Sequence, residues 1–113
     1  MMTDCLFCKI IAGDIPSTKV YEDDRLFVFK DINPKAQVHL LVIPKIHINS
    51  LDDLTDHHQE LIAYMMLKLP ELAQSQGLHD GFRTIINTGP GGGQEVGHLH
   101  LHILGGKDLP GFN

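Results

Sequence analysis

Short runs of apolar and β-branched residues, separated by polar turns, predict five β-strands along the chain. Thr18–Tyr21 and Leu26–Lys30 flank the polar segment Glu22–Arg25, a pattern that is typical of a hairpin. His39–Pro44 is predicted as a third strand, which ends at the proline because proline cannot donate a hydrogen bond to a neighbouring strand. Two more runs complete the predicted set, Phe82–Asn87 and His98–Leu104.

A helical period dominates the middle of the chain, over Thr55–Gln76. Its apolar residues recur every three or four positions and are Leu61, Ile62, Met65, Met66, Leu69, Leu72 and Ala73. Thr55 is suited to cap the first turn, and Gly77 is suited to end the last one. Pro70 lacks an N–H donor and its ring meets the carbonyl one turn back, so the sequence predicts either a kink near Met66 or two separate helices.

A short helix is expected over Phe7–Ala12, with Gly13 as its stop, before an extended turn at Ile15–Pro16. Five strands, one long helix and one or two short helices make an α+β arrangement. No internal repeat, low-complexity linker or break in composition divides the chain. We therefore expect a single domain over residues 1–113.

The composition argues against several classes of protein. Hydrophobic residues make up 42% and charged residues 20% of the 113 residues, as in an ordinary folded domain. The formal net charge of -5 argues against a nucleic acid partner, because such binding depends on Lys and Arg that neutralise phosphates. No apolar run reaches membrane length and Met1–Lys9 lacks the pattern of a signal peptide, so we expect a cytoplasmic protein without a membrane partner.

Eight histidines are the unusual feature of the composition, and three of them alternate in the last predicted strand. Residues two apart in a strand share a face, so His98, His100 and His102 would form a row while the residues between them face the core. The glycines of the preceding loop, Gly89–Gln94, would let backbone N–H groups approach an anion closely. Taken alone, the row is equally consistent with a metal site and with acid–base chemistry.

Four segments, in order over nearly the whole chain, resemble the histidine triad family in its branch of small nucleoside phosphoramidate hydrolases. They are Phe7–Ile11 with Ile15–Pro16, Phe29–Pro34, His39–Lys45 with His47, and Gly92–Gly106. The resemblance implies a symmetric homodimer in which two five-stranded antiparallel sheets join into one continuous sheet, with the long helix at the interface. Met65 and Met66 suit such a contact because methionine adapts its shape.

By this resemblance, His100 is the nucleophile that attacks the α-phosphorus of an amine-linked adenylate, and water then hydrolyses the nucleotidyl-histidine. A neutral imidazole is a competent nucleophile near pH 7. His102 corresponds to a residue that contacts phosphate oxygens and helps to protonate the leaving amine, and His39 to one that supports the nucleophile's orientation. This scheme requires no metal for catalysis. The backbone groups that stabilise charge on the phosphorus oxygens lie near Gly93, Gln94 and Glu95.

The same resemblance implies a pocket for a purine nucleotide. Asp31 would accept hydrogen bonds from the ribose hydroxyls, a role that suits an ionised carboxylate, and Asn87 would contact the phosphate and the ribose. Apolar residues would line the purine, namely Leu6, Phe7, Ile10, Phe29 and Ile32. Residue type alone leaves simpler roles open, with Asp31 capping a turn, Asn87 ending a strand and the apolar residues belonging to the core.

Cys5 and Cys8 indicate a second site, because such a pair in a reducing compartment is more typical of a thiol or metal site than of a disulfide. Members of the family with this spacing bind structural zinc through both thiolates and two histidines, which here are His47 and His98. Two cysteines and two histidines suit tetrahedral zinc. The alternatives are two free thiols with His98 as a structural member of the row and, least favoured, a redox pair.

The sequence therefore predicts a purine nucleoside phosphoramidase that releases AMP and an amine from adenosine 5′-phosphoramidates or from AMP-lysine. The alternatives are a hydrolase of dinucleoside polyphosphates and a nucleotide-binding or interaction protein whose catalysis is incidental. Three departures from the family pattern bear on the choice of leaving group. Gly97 replaces a common aromatic residue, Glu95 stands where serine is common, and the tail after Gly106 is short.

Overall fold

The computed structural model describes residues 4–111. The first three residues of the segment Met1–Lys9, in which the sequence predicts no signal peptide, lie outside the described residues, as do the last two residues of the chain. The helices are α1 (Leu6–Ala12) and α2 (Gln59–Ser75), and short 3-10 turns cover Leu51–Asp53, Asp56–His58 and Pro90–Gly92. The strands are β1 (Lys19–Glu22), β2 (Leu26–Lys30), β3 (Val38–Pro44), β4 (Arg83–Ile85) and β5 (Leu101–Gly105).

The five strands form one sheet in the order β1-β2-β3-β5-β4, and every neighbouring pair is antiparallel. The predicted α+β class with a five-stranded antiparallel sheet is confirmed. β2 and β3 are apolar at nearly every position instead of alternating, because helices cover both faces of the sheet.

Each face of the sheet buries its own set of side chains. One face packs on α2 and contributes Leu26, Val28, Leu40, Val42, Leu101 and Ile103. The other face contributes Phe27, Phe29, Leu41 and Ile43, which pack against Phe7 and Ile10 of α1. Because α1 has only about two turns, it covers part of this second face, and the rest becomes the floor of a cavity.

The last strand starts later than predicted, at Leu101 instead of His98. The register places Val42 opposite Leu101, so Leu99 would fall opposite Pro44, which has no N–H to continue the ladder. Leu99 donates its N–H to the Ile48 carbonyl at 2.6 Å instead. The alternation of faces persists nevertheless, since Leu99 is buried in the α2-facing core.

The long helix does not divide at Pro70, so that alternative of the prediction is wrong. α2 runs without interruption, and Pro70 lies on its solvent side while Leu69 and Leu72 are buried in the core. Packing of this apolar stripe holds the helix together across the missing hydrogen bond. α2 begins at Gln59, later than predicted, and Thr55 caps the 3-10 turn Asp56–His58 that leads into it. Gly77 follows the helix with φ +82°, as predicted.

Met65 was expected at a subunit interface, but it is fully buried in the core of this chain. The spacing of the helix explains the error, because Met65 and Leu69 lie four apart on the face that meets the sheet. Met66 and Leu67 are the large hydrophobic residues that α2 exposes, at 48% and 74%. Among residues 4–111, no helix has the length and apolar character that a membrane span requires.

Candidate functional site

A cavity of about 660 Å³ lies on the α1 face of the sheet. All three histidines predicted to be catalytic line it, as do nine of the ten residues predicted to bind the nucleotide. These twelve are His39, His100, His102, Leu6, Phe7, Ile10, Phe29, Asp31, Ile32, Asn87, Gly93 and Glu95. The structure therefore brings together residues from α1, β2, β3, β5 and the glycine loop.

Gln94 is the predicted residue that does not line the cavity. Its side-chain oxygen accepts the Gly89 N–H at 2.8 Å, and its nitrogen donates to the carbonyls of Asn49 at 2.7 Å and Val96 at 2.9 Å. Asn87 contributes a further tie, because its Nδ2 donates to the Gly92 carbonyl at 2.8 Å. The side chains of Asn87 and Gln94 thus hold the glycine loop in place by hydrogen bonds, and Gln94 does so without lining the cavity.

Two cations in the cavity wall were missed by the sequence analysis, Lys35 and Arg83. The register pairs Arg83 with Leu104 and Ile85 with His102, so β4 presents alternate residues to the face that carries the histidines. Alternation within the predicted strand Phe82–Asn87 could have pointed to Arg83, but the pairing partner of that strand is not readable from the sequence.

His100 is buried and its ring orientation is fixed by the backbone. Its Nδ1 lies 2.7 Å from the His98 carbonyl oxygen, which can only accept, so Nδ1 carries the proton. The Phe7 and His100 rings pack in a T-shaped arrangement with their centroids 5.2 Å apart. In the neutral ring, the lone pair is therefore on Nε2, as a nucleophilic imidazole needs.

His39 and His102 form a second, chained arrangement. The Lys35 N–H donates to His39 Nδ1 at 3.0 Å, which leaves the proton of this ring on Nε2. That nitrogen lies 2.9 Å from His102 Nδ1, which accepts, so His102 carries its own proton on Nε2. His102 is thus set as a hydrogen-bond donor. Its ring packs against His39 on one side and against His100 on the other, with centroids 5.1 Å apart in each pair.

These two hydrogen bonds require the rings of His39 and His102 to be neutral near pH 7, and the pKa values of both residues agree with this. Burial lowers the pKa of His39, although the nearby carboxylate of Asp31 partly offsets it. Burial, followed by the neighbouring His100 and His39, lowers the pKa of His102 to about 4. Protonation of His102 would remove its acceptor for the His39 proton.

The free energy of unfolding is expected to fall as the pH is lowered from about 6.5 to about 4. Over that range the unfolded chain binds a proton on His102 that the folded chain does not, and the loss should amount to about 1 to 3 kcal/mol. Urea unfolding at several pH values would show this slope, and His102→Gln should flatten it. The exposed His79 provides the control, since His79→Gln should leave the slope unchanged. Equal slopes in all three proteins would contradict the assignment.

Asp31 caps a turn, which is one of the roles that the sequence left open, and it also lines the cavity. Its Oδ1 accepts the Asn33 N–H at 2.8 Å and caps the turn after β2. Its Oδ2 lies 3.5 Å from His39 Nε2, and the residue lines the cavity. A carboxylate held in this way keeps free lone pairs for a hydroxyl donor.

The four predicted metal ligands meet at the start of α1. His98 Nδ1 lies 3.3 Å from Cys5 Sγ and 3.6 Å from Cys8 Sγ, and His47 Nδ1 lies 3.3 Å from Cys8 Sγ. One donor atom of each residue lies within 4.8 Å of all the others. Sulfur and nitrogen ligands of tetrahedral zinc, with bonds of about 2.3 and about 2.0 Å, would be about 3.5 Å apart.

The hydrogen bonds of the two imidazoles are compatible with metal binding. His98 Nε2 donates to the Pro44 carbonyl at 2.9 Å, and His47 Nε2 donates to Asn49 Oδ1 at 3.2 Å. Both rings therefore turn an unprotonated Nδ1 toward the sulfurs, as metal-binding histidines do. Burial, then the hydrogen bond and charge of Cys5, raise the pKa of Cys8 to about 11, so a metal would have to displace its proton.

Comparison with known proteins supports one family. The family model described as scavenger mRNA decapping enzyme C-term binding matches residues 4–112. Protein HitA of Neisseria gonorrhoeae is 59% identical over 104 residues, which is 92% of this chain and 97% of that protein. The purine nucleoside phosphoramidase of Escherichia coli is 42% identical over 110 residues, 96% and 92% of the two chains. A 14 kDa zinc-binding protein of Zea mays is 43% identical over 106 residues, 92% and 83% of the two chains.

Solved structures agree with the sequence comparisons. A histidine triad protein from Clostridium difficile superposes with a TM-score of 0.92 at 50% identity, covering 98% of this chain and 97% of that one. A HIT family hydrolase from Legionella pneumophila gives a TM-score of 0.90 at 48% identity, covering 94% and 96%. On sequence and fold together, the chain belongs to the histidine triad family.

Proposed function

We propose that the chain is a purine nucleoside phosphoramidase that hydrolyses adenosine 5′-phosphoramidates or AMP-lysine to AMP and an amine. The observation that carries the proposal is His100, whose Nδ1 donates to the His98 carbonyl and whose side chain lines a cavity of about 660 Å³. The activity named for the relative from Escherichia coli, and the hydrolase from Legionella pneumophila, support a hydrolase of this kind.

The reaction proceeds in two displacements at phosphorus. His100 Nε2 attacks the α-phosphorus, the phosphorus–nitrogen bond breaks, and the amine leaves with a proton. Water then attacks the phosphorus of the nucleotidyl-histidine and loses a proton to solvent, the bond between phosphorus and His100 Nε2 breaks, and AMP leaves the neutral imidazole. His102, with its proton on Nε2, donates a hydrogen bond to a phosphoryl oxygen or to the leaving nitrogen, and the amine takes its proton from water. The braced glycine loop holds backbone donors beside the phosphate.

The nucleoside takes the remainder of the cavity. The purine lies among Phe7, Ile10 and Phe29, which are buried, while Leu6 and Ile32 are exposed at its rim. An apolar, mostly preformed pocket with a few polar groups is typical of small-ligand sites. Asp31 then accepts from the ribose hydroxyls.

The proposal is tested by following AMP release from an adenosine 5′-phosphoramidate and from diadenosine tetraphosphate. The phosphoramidate should be turned over with a higher kcat/KM, by at least about tenfold. Preference for the tetraphosphate would favour the alternative of a dinucleoside polyphosphate hydrolase. Tight AMP binding without turnover of either compound would favour a nucleotide-binding protein.

Asp31→Asn is expected to raise KM for the phosphoramidate by about tenfold or more, with a smaller effect on kcat. A hydrogen bond between the ribose hydroxyls and a charged acceptor is worth about 1.5 to 3 kcal/mol, and the neutral amide would weaken it. Steady-state kinetics measure both constants. Asp52, an exposed carboxylate in a different part of the chain, provides the control Asp52→Asn. An unchanged KM in Asp31→Asn would remove the ribose role.

We also propose that the cluster of Cys5, Cys8, His47 and His98 holds structural zinc. The relative from Zea mays that is named for zinc binding supports this assignment. When bound, the metal would cross-link the start of α1 to the segments that follow β3 and precede β5. Thiol ligands of this kind suit the reducing cytoplasm, where we propose that the protein acts.

A homodimer whose sheet continues between subunits is also part of the proposal. The exposed Met66 and Leu67 on α2 support it, since neighbouring apolar residues on a surface favour association. Sedimentation equilibrium of the wild type should give twice the mass of the chain, and Leu67→Glu should shift the equilibrium toward the monomer. A wild-type protein that sediments as a monomer at micromolar concentration would contradict the dimer.

A further inference from the structure

The candidate metal centre and the candidate nucleophile are connected through His98. The side chain of His98 offers Nδ1 to the cysteine sulfurs, while its carbonyl accepts the proton of His100 Nδ1 at 2.7 Å. His98 is fully buried, so a movement of its ring at the metal centre cannot occur without a change in its surroundings. One residue therefore belongs to both sites.

A second connection runs through the first turn of α1. Leu6 and Phe7 lie between the two cysteines in sequence and form part of the nucleotide cavity wall. The Phe7 ring forms T-shaped contacts with His98, with centroids 6.0 Å apart, and with His100, with centroids 5.2 Å apart. These contacts connect the turn that carries the cysteines with the cavity wall and with His100.

α1 has few other means of holding its place. It is a helix of seven residues, too short to be stable on its own, and only Phe7 and Ile10 are buried. Cys5 caps it, since its Sγ accepts the Cys8 N–H at 3.2 Å. A metal bound to both sulfurs would fix the turn that carries the cavity wall.

We infer that the metal centre is a control on nucleotide binding: occupancy of the Cys5, Cys8, His47 and His98 cluster orders α1 and His98, and so prepares the cavity and His100 for the nucleotide. The inference rests on the proposed nucleotide site and adds a thermodynamic coupling between two ligands. Such coupling is reciprocal, so the nucleotide strengthens metal binding by the same factor.

Calorimetric titration of AMP into zinc-loaded and zinc-free protein measures the coupling. AMP should bind the loaded form at least about fivefold more tightly, the lower end of typical coupling factors. Zinc titrated with and without saturating AMP should give the same factor. A metal with a purely structural role, uncoupled from the cavity, would give equal AMP affinities in both forms.

The variant Phe7→Leu separates the connection from the sites themselves. It keeps an apolar side chain in the core and all four metal ligands, but it lacks the ring that touches His98 and His100. Whatever its absolute affinity for AMP, the ratio between its loaded and zinc-free forms should fall toward one. A ratio equal to that of the wild type would overturn the route through Phe7.

If the zinc-free form does not fold, the coupling can be tested with cobalt-loaded protein. The visible absorption of tetrahedral Co²⁺ depends on its ligand geometry, so AMP should shift the bands in the wild type and shift them less in Phe7→Leu. Unshifted bands together with measurable AMP binding would overturn the inference and leave the proposed function intact. No AMP binding in any form would overturn both.

Discussion

His100→Asn is expected to lower the turnover of an adenosine 5′-phosphoramidate by at least about a thousandfold. The amide nitrogen of asparagine can still donate to the His98 carbonyl, as His100 Nδ1 does at 2.7 Å, so the loop geometry survives. What disappears is the second ring nitrogen, Nε2, which forms the bond to phosphorus. The affinity for AMP should therefore change by no more than a few fold.

Rapid-mixing kinetics and AMP calorimetry on the same preparations measure these two quantities. The matched control is His79→Asn, since His79 is exposed and lies outside the cavity lining. It should behave as the wild type does. If His100→Asn retained more than about a tenth of the turnover, another group or water itself would be the nucleophile.

Removal of the metal is expected to lower the melting temperature by about 10 °C or more. A ligand present at about a thousand times its dissociation constant stabilises a fold by about 4 kcal/mol. In a domain of this size each kcal/mol corresponds to about 4 to 8 °C. The effect should be large here because the four ligands tie α1 to the ends of two strands. Calorimetric scans with and without a chelator measure it.

Two histidine variants isolate the metal contribution. His47→Gln removes a ligand and should melt at the lower temperature whether or not chelator is present. His57→Gln changes an exposed histidine outside the cluster and should keep the full response to chelator. If the wild type melted at the same temperature with and without chelator, or if metal analysis found no zinc, the cluster would be a pair of free thiols beside two histidines.

The fold could be predicted because its strands and helices are locally distinct in sequence. The apolar runs of β2 and β3 mark buried strands, and the helical period of α2 is regular enough to set its core face. What could not be predicted depends on pairing between distant segments. β5 begins at Leu101 because Pro44 stands opposite Leu99, and that opposition exists only once the register is known.

The site residues could be predicted only in part from the sequence. The resemblance to a family pointed to His100 and to the four candidate ligands, and the structure brings the latter together. The contact of His39 with His102 follows from register, since His39 pairs with Leu104 and its diagonal neighbour is His102. The place of Arg83 in the cavity wall also follows from strand register, because Arg83 pairs with Leu104.

Detection of the covalent intermediate tests the central claim most directly. The protein is mixed with excess adenosine 5′-phosphoramidate, quenched during turnover at alkaline pH, digested and analysed by mass spectrometry. One adenylyl group should be found on the peptide that contains His100, and none on that peptide from His100→Asn. Continued release of AMP with no adduct on His100, at time points that span single turnovers, would contradict the claim.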